Sequence, residues 1–429
     1  MDIPETFLHY LWKYRLYNTQ SLKTSAGKAI DIIHPGIHNF DAGPDFLNGK
    51  IKIDGQLWAG NIEIHKKTSD WKKHKHQEDK AYNNVILHIV AEDDHSKIIQ
   101  DGREILTVKP EFDQSLFQNY NKYLSEDTMP MCSEDLHEVN AFTISSWLPT
   151  LLIERLERKT KDLKQLLTYT KNSWEEAFYI FMASAFGSGI NSQAFEMTVK
   201  ALPLTILVKH KNSLFQTEAL LLGQSGLLTQ REPLDDYSKK LKKEYLFLQK
   251  KYGLKPIDAH LWKYLRIRPA NFPDIRLAQF ARLIFDSTHL FSKLLEAKDS
   301  QTIEKFLDIK IADYWETHYK LGQESGKRKK SFGKTARRLV IINTIVPTLF
   351  LYGKEKDKDE FKNQALSVIE SLPPENNKII REWKAAGIDC RSAAESQALI
   401  QLSKAYCQKK RCLECRIGNA LISNLRNNY

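Results

Sequence analysis

The sequence predicts an α+β protein, with an N-terminal α/β domain over residues 1–140 and a large, mostly helical region over residues 141–429. Two patterns predict this division. Alternating apolar and polar residues, typical of strands, are concentrated in the first 110 residues, whereas apolar residues three and four apart, typical of amphipathic helices, dominate after Phe142. A chain of 429 residues is also too long for one ordinary hydrophobic core.

The first domain is expected to run helix, three strands, helix, strand. Pro4 and the apolar residues that follow it predict a helix over about residues 4–17. A short strand over residues 29–33 precedes two alternating runs separated by Asp54-Gly55, a dipeptide that indicates a β-hairpin. A polar helix over residues 71–79 and a buried strand over residues 85–90 complete the domain.

The hairpin predicts a candidate active site. Antiparallel pairing brings the start of its first strand, with Asp45, beside the end of its second strand, with Glu63 and His65. Glu63 and His65 are two residues apart and therefore share one face of the strand. Two carboxylates suit Mg²⁺ or Mn²⁺, and His65 is either a further ligand or a base. Taken singly, Asp45 is an ordinary turn residue and Glu63 a solvated strand residue.

This arrangement resembles the restriction-endonuclease-like superfamily of metal-dependent nucleases, whose hallmark is Pro-Asp followed by Asp/Glu-x-Lys, written PD-(D/E)xK. Pro44-Asp45 and Glu63 match the motif, and Glu5 matches the place where many members carry an extra metal-binding acid. The resemblance implies a nuclease-like fold and hydrolysis of phosphodiester bonds in DNA or RNA. His65 stands where the lysine is expected, so the alternative is a catalytically inactive nucleic-acid-binding or protein-interaction protein that retains the fold.

The whole chain also resembles a bacterial protein family known as domain of unknown function 2851. The matching segments are Gly43-Pro44-Asp45-Phe46, Glu63-Ile64-His65, Tyr82 to His88, Arg268 to Pro273 and Tyr406 to Cys415. This second resemblance implies no biochemical activity.

The net charge of +11 lies outside the first 100 residues, which hold 13 basic and 13 acidic residues. Basic and aromatic residues alternate over residues 260–282, and residues 326–338 are denser in lysine and arginine. Both stretches suit a phosphate backbone. The alternatives are an ordinary solvated basic surface, or a surface that contacts an acidic protein partner. The residues expected to bind nucleic acid are Lys66, Arg266, Arg268, Arg276, Lys329, Lys330 and Arg337.

Two further groups of residues are candidate metal ligands. His74, His76 and Asp79 lie on the predicted polar helix and form either a second metal set or an ordinary surface. The run Cys407-x4-Cys412-x2-Cys415 resembles the cysteine clusters of some DNA glycosylases and iron–sulfur nucleases. With Cys390 as fourth ligand it would hold Zn²⁺ or an Fe–S cluster; the alternative is buried free thiols.

The sequence predicts a cytoplasmic protein without membrane segments. No stretch approaches the roughly 20 apolar residues that cross a bilayer. The first residues carry neither a basic segment nor an apolar one, so export is not expected.

Overall fold

The computed structural model of the protein describes residues 3–94, 97–230, 235–287 and 289–423. The chain divides into two compact units. The first comprises Met1–Trp147, Arg381–Ile388 and Leu402–Tyr429, and the second comprises Leu148–Ile380 and Asp389–Gln401. The sequence groups every residue after 140 in the helical region, whereas two C-terminal segments belong to the first unit. Within the described ranges, no helix has both the length and the apolar character needed to cross a membrane.

A mixed β-sheet organises the first unit. Its strands are β1 (Ile30–His34), β2 (Ile37–His38), β3 (Phe46–Ile53), β4 (Gln56–Lys67), β5 (Val85–Glu92) and, after the small hairpin β6 (Ile99–Gln100) and β7 (Arg103–Glu104), β8 (Thr107–Val108). The spatial order is β1-β3-β4-β5-β8, with β2 paired to β3. Strands β1, β3 and β4 are antiparallel, whereas β4 with β5 and β5 with β8 are parallel. The predicted α+β class is therefore confirmed.

The predicted hairpin is confirmed at β3 and β4. Asp54 and Gly55 have φ values of 48° and 82°, the left-handed conformation that a two-residue type I′ turn requires, and they join the paired residues Ile53 and Gln56. Ile62 and Ile64 on β4 are buried in the core, as expected from their strand parity. Their neighbours Glu63 and His65 are also buried, so both faces of β4 are covered at this end.

The prediction of one helix over residues 71–79 is wrong. The structure has a single helical turn, α2 (Asp70–Lys73), followed by the 3-10 turns His76–Glu78 and Lys80–Tyr82. Lys75 separates them because it adopts a left-handed conformation with φ 61°, which no helix interior accommodates. Trp71 anchors the segment, since its side chain is fully buried with Tyr82.

Most of the remaining helices lie after Phe142, where the sequence predicts a mostly helical region. In chain order they are α1 (Glu5–Tyr14), α3 (Gln114–Ser125), α4 (Ala141–Tyr169), α5 (Trp174–Phe186), α6 (Ser192–Lys200), α7 (Leu204–Val208), α8 (Leu214–Gln224), α9 (Asp236–Tyr252), α10 (Pro273–Asp286), α11 (Leu290–Glu296), α12 (Ser300–Phe306), α13 (Lys334–Val340), α14 (Val346–Glu355), α15 (Asp359–Ser371), α16 (Lys378–Ala385), α17 (Ala393–Leu402) and α18 (Arg416–Ile422). A small hairpin, β9 (His318–Lys320) and β10 (Gln323–Glu324), lies between α12 and α13.

The core of the second unit is built around α8, which packs against α9 and α10. Gly223 on α8 allows this close packing, because a Cβ atom there would lie 2.0 Å from the ring of Tyr245 on α9. Glu218 on α8 and Arg276 on α10 are charged side chains buried in this unit. Each is an exception to the rule that such groups stay in water unless they are paired.

Candidate metal centre

The structure brings Asp45 and Glu63 together at the end of the β3–β4 hairpin. Glu63 Oε2 accepts the backbone N–H of Asp45 at 3.1 Å, and Asp45 Oδ2 accepts the backbone N–H of Ile64 at 2.9 Å. Antiparallel pairing of Phe46 with Ile62 sets this proximity, as the sequence predicted. Each carboxylate is therefore fixed by a hydrogen bond from the backbone of the opposite strand segment.

The second carboxylate oxygen of Glu63 faces a group of histidines. Glu63 Oε1 lies 3.3 Å from His76 Nε2 and 3.5 Å from His65 Nε2. His65 Nε2 in turn lies 3.1 Å from His74 Nδ1 and 3.2 Å from His76 Nε2. One carboxylate oxygen and two further imidazole nitrogens thus lie within 3.5 Å of His65 Nε2.

The left-handed Lys75 makes this convergence possible. On a continuous helix His74 and His76, two residues apart, would point to different sides. Because the chain reverses at Lys75, both imidazoles turn towards His65 on β4. Asp70 fixes the start of the segment by accepting the backbone N–H of Lys67 at 3.0 Å. The histidines judged from the sequence to be an alternative metal set therefore join Glu63 and His65 instead.

Asp79, expected beside these histidines, has a different position. Its side chain accepts the backbone N–H of Ala81 at 2.9 Å and so caps the second 3-10 turn. His76 instead stacks on the ring of Tyr82, with centroids 3.9 Å apart. This stacking holds the His76 ring with Nε2 towards Glu63.

His88 on β5 positions His65 from behind. The parallel register pairs Glu63 with His88, and His65 Nδ1 lies 2.8 Å from His88 Nε2. This contact engages Nδ1 of His65 and leaves Nε2 facing the cluster. A partner on the second ring nitrogen is a common feature of histidine ligands to metals. The sequence indicated only a buried core histidine at this position.

Burial governs the protonation of this group. It lowers the pKa of His65 to about 4, with a further contribution from the nearby His76 and His74, and it lowers the pKa of His88 well below its usual value. Burial also raises the pKa of Glu63, although the contact with His76 opposes that change. His65 is therefore a neutral imidazole at pH 7, the form that binds metals.

Four of the six separations within this group match those of a tetrahedral metal site. Four ligand atoms about 2.0–2.2 Å from a central ion lie roughly 3.3–3.6 Å apart. The four separations around His65 Nε2 and Glu63 Oε1 span 3.1–3.5 Å. The ligand atoms of His65, His74 and His76 also all lie within 4.8 Å of one another.

His9 is a residue of the site that the sequence analysis missed. It lies on α1, one turn after Glu5, and its Nε2 is 3.4 Å from Asp45 Oδ2. Glu5, the acid expected to bind metal, has no described contact with Asp45 or Glu63. The helical spacing of four would have identified His9, since the two residues share one face of α1.

A cleft of about 600 Å³ opens beside His9. His9, Lys13 and Tyr14 line it from α1, and Phe40 and Lys410 line it from two loops. The Phe40 side chain is 78 % exposed. The cleft therefore combines cationic groups with a solvent-exposed aromatic ring. Lys66, on the other face of β4, lines a separate cleft with Lys67 and Glu92.

The basic residues expected to bind nucleic acid in the second unit differ in exposure. Arg266, Arg268 and Lys329 are exposed. Lys330 is buried and donates to Ser325 Oγ at 2.8 Å, while Arg337 donates to the Phe332 carbonyl at 2.7 Å and pairs with Asp308. Lys330 and Arg337 thus form their polar contacts with other residues of the same chain. Arg276 is buried and is described below.

The cysteine prediction remains untested. Cys407, Cys412 and Cys415 lie in the first unit, where each thiol is largely buried and burial raises its pKa. Cys390, the expected fourth ligand, belongs to the second unit. Cys132 shares the first unit with the other three and interacts electrostatically with Cys412 and Cys415. No three described thiols lie within 4.8 Å of one another.

Comparison with known proteins identifies a family and nothing closer. The chain matches no curated protein, and it matches no solved structure. A family model does match, over residues 5–378, which covers the sheet, the candidate metal centre and most of the helical unit. The chain therefore belongs to the family described as protein of unknown function, DUF2851.

Proposed function

We propose that this protein is a metal-dependent hydrolase of phosphodiester bonds in nucleic acid, with its ion held by Glu63, His65, His74 and His76. The observation that carries the proposal is the convergence of those four side chains beside a second carboxylate, Asp45. The mixed sheet supports it, because the strand pairing places an aspartate and a glutamate at one end of a hairpin, as in the superfamily that the motif resembles.

The ligand set favours Zn²⁺ over Mg²⁺. Magnesium prefers an octahedron of oxygen ligands, whereas imidazole nitrogens in a tetrahedron suit zinc and related transition metals. Three of the four ligand atoms here are imidazole nitrogens. Mn²⁺, the other ion expected from the sequence, is the alternative that the assay below compares.

The chain's own residues would position the substrate and move protons. A divalent ion supplies polarisation of a phosphoryl oxygen and lowers the pKa of the attacking water. His74 is exposed at the solvent side of the ligand group, whereas Glu63 and His65 close the inner side. His9 and Asp45, 3.4 Å apart, form a pair at the rim that can accept or return a proton.

The cleft beside His9 suits a nucleic-acid strand. Lys13 and Lys410 supply positive charge along its walls, and the exposed Phe40 and Tyr14 supply aromatic faces for unpaired bases. Arg411 contributes less charge, because it forms an ion pair with Glu414. Lysines together with stacking surfaces are typical of sites for single strands.

A structural metal site is the second candidate. Glu63 and His65 are 4 % and 2 % exposed, and a zinc ion with four protein ligands usually stabilises a fold instead of catalysing a reaction. His65 also replaces the lysine of the nuclease motif. On this alternative the protein binds nucleic acid without cleaving it.

Metal analysis combined with a cleavage assay separates the two candidates. The wild-type protein, stripped with chelator and reloaded with Zn²⁺, Mn²⁺ or Mg²⁺, is incubated with labelled single-stranded DNA and RNA. The proposal predicts that His74→Ala loses both metal and cleavage, that Asp45→Asn keeps metal and loses cleavage, and that the surface variant His137→Ala changes neither.

Two other outcomes also test the two candidates. Stoichiometric metal without cleavage of any substrate favours the structural site, especially if His74→Ala then lowers the melting temperature. A wild-type protein that binds none of the three ions contradicts both candidates.

A further inference from the structure

Arg276 is a buried guanidinium that pairs with no carboxylate among the residues the structure describes. It lies on α10 with 5 % of its surface exposed, and burial lowers its pKa to about 10. Its Nη1 donates to Gln279 Oε1 at 3.1 Å, its Nη2 donates to Asn271 Oδ1, and its Nε has no partner. The guanidinium also lies over the Phe332 ring, with 4.7 Å to the centroid. All of these partners are neutral.

Two other arginines of this unit each have a carboxylate partner. Arg282, on the same helix, donates to both carboxylate oxygens of Asp286 at 2.9 Å, and Arg337 pairs with Asp308. Arg276 pairs with no carboxylate in the described ranges of the chain. Burying a charged group without an ionic partner is strongly unfavourable. A buried cation such as Arg276 is therefore expected where a bound anion neutralises it.

A cavity of about 890 Å³ adjoins Arg276. Arg268 and Lys334 line it as well, and neither forms an ion pair with a described residue. Ser188, Ser192 and Asn343 add hydroxyl and amide groups to the wall. Three cations thus border one cavity, and its volume lies in the range that holds small organic ligands.

Part of the wall is apolar. Phe181, Phe332, Leu339 and Val340 line the cavity, and the Phe332 ring lies against the Arg276 guanidinium. A ligand that fits therefore has an anionic group for the arginines and an apolar ring for this wall. A guanidinium matches the geometry of a phosphate group, and a ring suits contact with phenylalanine.

We infer that this cavity binds a nucleoside phosphate, with the phosphate seated on Arg276, Arg268 and Lys334 and the base against the apolar wall. The source of the group is either a free mononucleotide or the phosphorylated end of a nucleic-acid strand. The site lies within the second unit and shares no residue with the metal centre. It also assigns Arg276 to a pocket, whereas the sequence indicated a role along a phosphate backbone.

Calorimetric titration of the full chain tests the inference. Chelator is present throughout, so that the metal centre contributes no phosphate binding. The ligands are inorganic phosphate, AMP, ATP, and a short oligonucleotide with or without a 5′-phosphate. Tighter binding of AMP or ATP identifies a free nucleotide, whereas tighter binding of the 5′-phosphorylated strand identifies a strand end.

Variants identify the residues responsible. We expect Arg276→Met to weaken binding at least 10-fold, and Lys334→Met, at an exposed position, to weaken it several-fold. Arg282→Met, the matched control on α10, should bind within twofold of the wild type. The ligand-free Arg276→Met protein should melt no lower than the wild type, since an unpaired buried charge has been removed.

Three results would overturn the inference. They are a wild-type protein that binds no phosphate ligand, a Lys334→Met protein that binds as the wild type does, and an Arg276→Met protein that melts lower while still binding normally. In the last case Arg276 has only a structural role.

Discussion

Asp45 and Glu63 each bind the main chain of the segment opposite. Glu63 Oε2 accepts the Asp45 N–H at 3.1 Å, and Asp45 Oδ2 accepts the Ile64 N–H at 2.9 Å. These bonds leave Glu63 Oε1 as the oxygen that faces His65 and His76. The hairpin thereby orients one carboxylate towards the histidines and holds the other next to His9.

The first prediction concerns the charge of Glu63. In Glu63→Gln the amide keeps an acceptor for the Asp45 N–H but places a neutral group near the imidazoles. We expect affinity for Zn²⁺ to fall at least 10-fold with little change in folding, because a charged ligand is lost. Competition with a chromophoric chelator measures this affinity. Equal affinity in the two proteins would show that Glu63 does not bind the ion.

The second prediction concerns the backbone at Lys75. Its φ of 61° is disfavoured for a residue with a Cβ by about 1–2 kcal/mol, and is most strained for a β-branched one. Lys75→Gly should keep metal affinity and melt slightly higher. Lys75→Val should weaken metal binding about 10-fold, since His74 and His76 then no longer converge.

Lys72→Val, in the regular turn of α2, is the control for that pair. It changes the same type of side chain without requiring a left-handed backbone. If Lys75→Val and Lys72→Val bind metal equally well, the left-handed residue is not what brings the two histidines together.

The third prediction concerns His88. His88→Phe fills the same buried space but removes the nitrogen 2.8 Å from His65 Nδ1. Loss of such an outer partner typically lowers metal affinity 10- to 100-fold, and we expect that range here. Ile89→Val, the neighbouring position on β5, controls for disturbance of the strand. Unchanged metal affinity in His88→Phe would mean that His65 does not need a hydrogen-bond partner at Nδ1 to bind the ion.

The fourth prediction concerns pH and Glu218 in the second unit. Burial raises the pKa of Glu218 to about 7, and the hydrogen bond from Tyr237 only partly opposes this. The folded state therefore keeps a proton that the unfolded state loses near pH 4.5. Stability from this group is fully present below pH 4.5 and is lost as the pH rises towards 7, by on the order of 3 kcal/mol.

Urea unfolding at several pH values between 5 and 8 measures this effect. Glu218→Gln, which cannot ionise, should lose less stability over that interval than the wild type does. Glu196→Gln, at a partly exposed position, should follow the wild type. A Glu218→Gln profile parallel to that of the wild type would contradict the assignment.

Local signals in the sequence predicted the hairpin and the meeting of two acids. Asp54-Gly55 set the turn and the register, and the register brought Asp45 to Glu63. These features depend on neighbouring residues and on strand parity, which a sequence shows directly. The helical spacing after Phe142 was readable for the same reason.

The grouping of the histidines could not be predicted in the same way. Their convergence depends on one left-handed lysine, and lysine carries no signal for that conformation. His88 joins the group through parallel pairing of β4 with β5, which is a long-range register. Arg276 resembled a surface cation in the sequence, because its burial follows from tertiary packing around α10.

X-ray absorption at the metal edge of the purified, reloaded protein tests the central claim most directly. The account predicts one Zn²⁺ per chain with about three nitrogen ligands and one oxygen ligand near 2.0–2.1 Å, and loss of the imidazole signal in His74→Ala. An ion surrounded by oxygen ligands alone, or a spectrum that His74→Ala leaves unchanged, would contradict it.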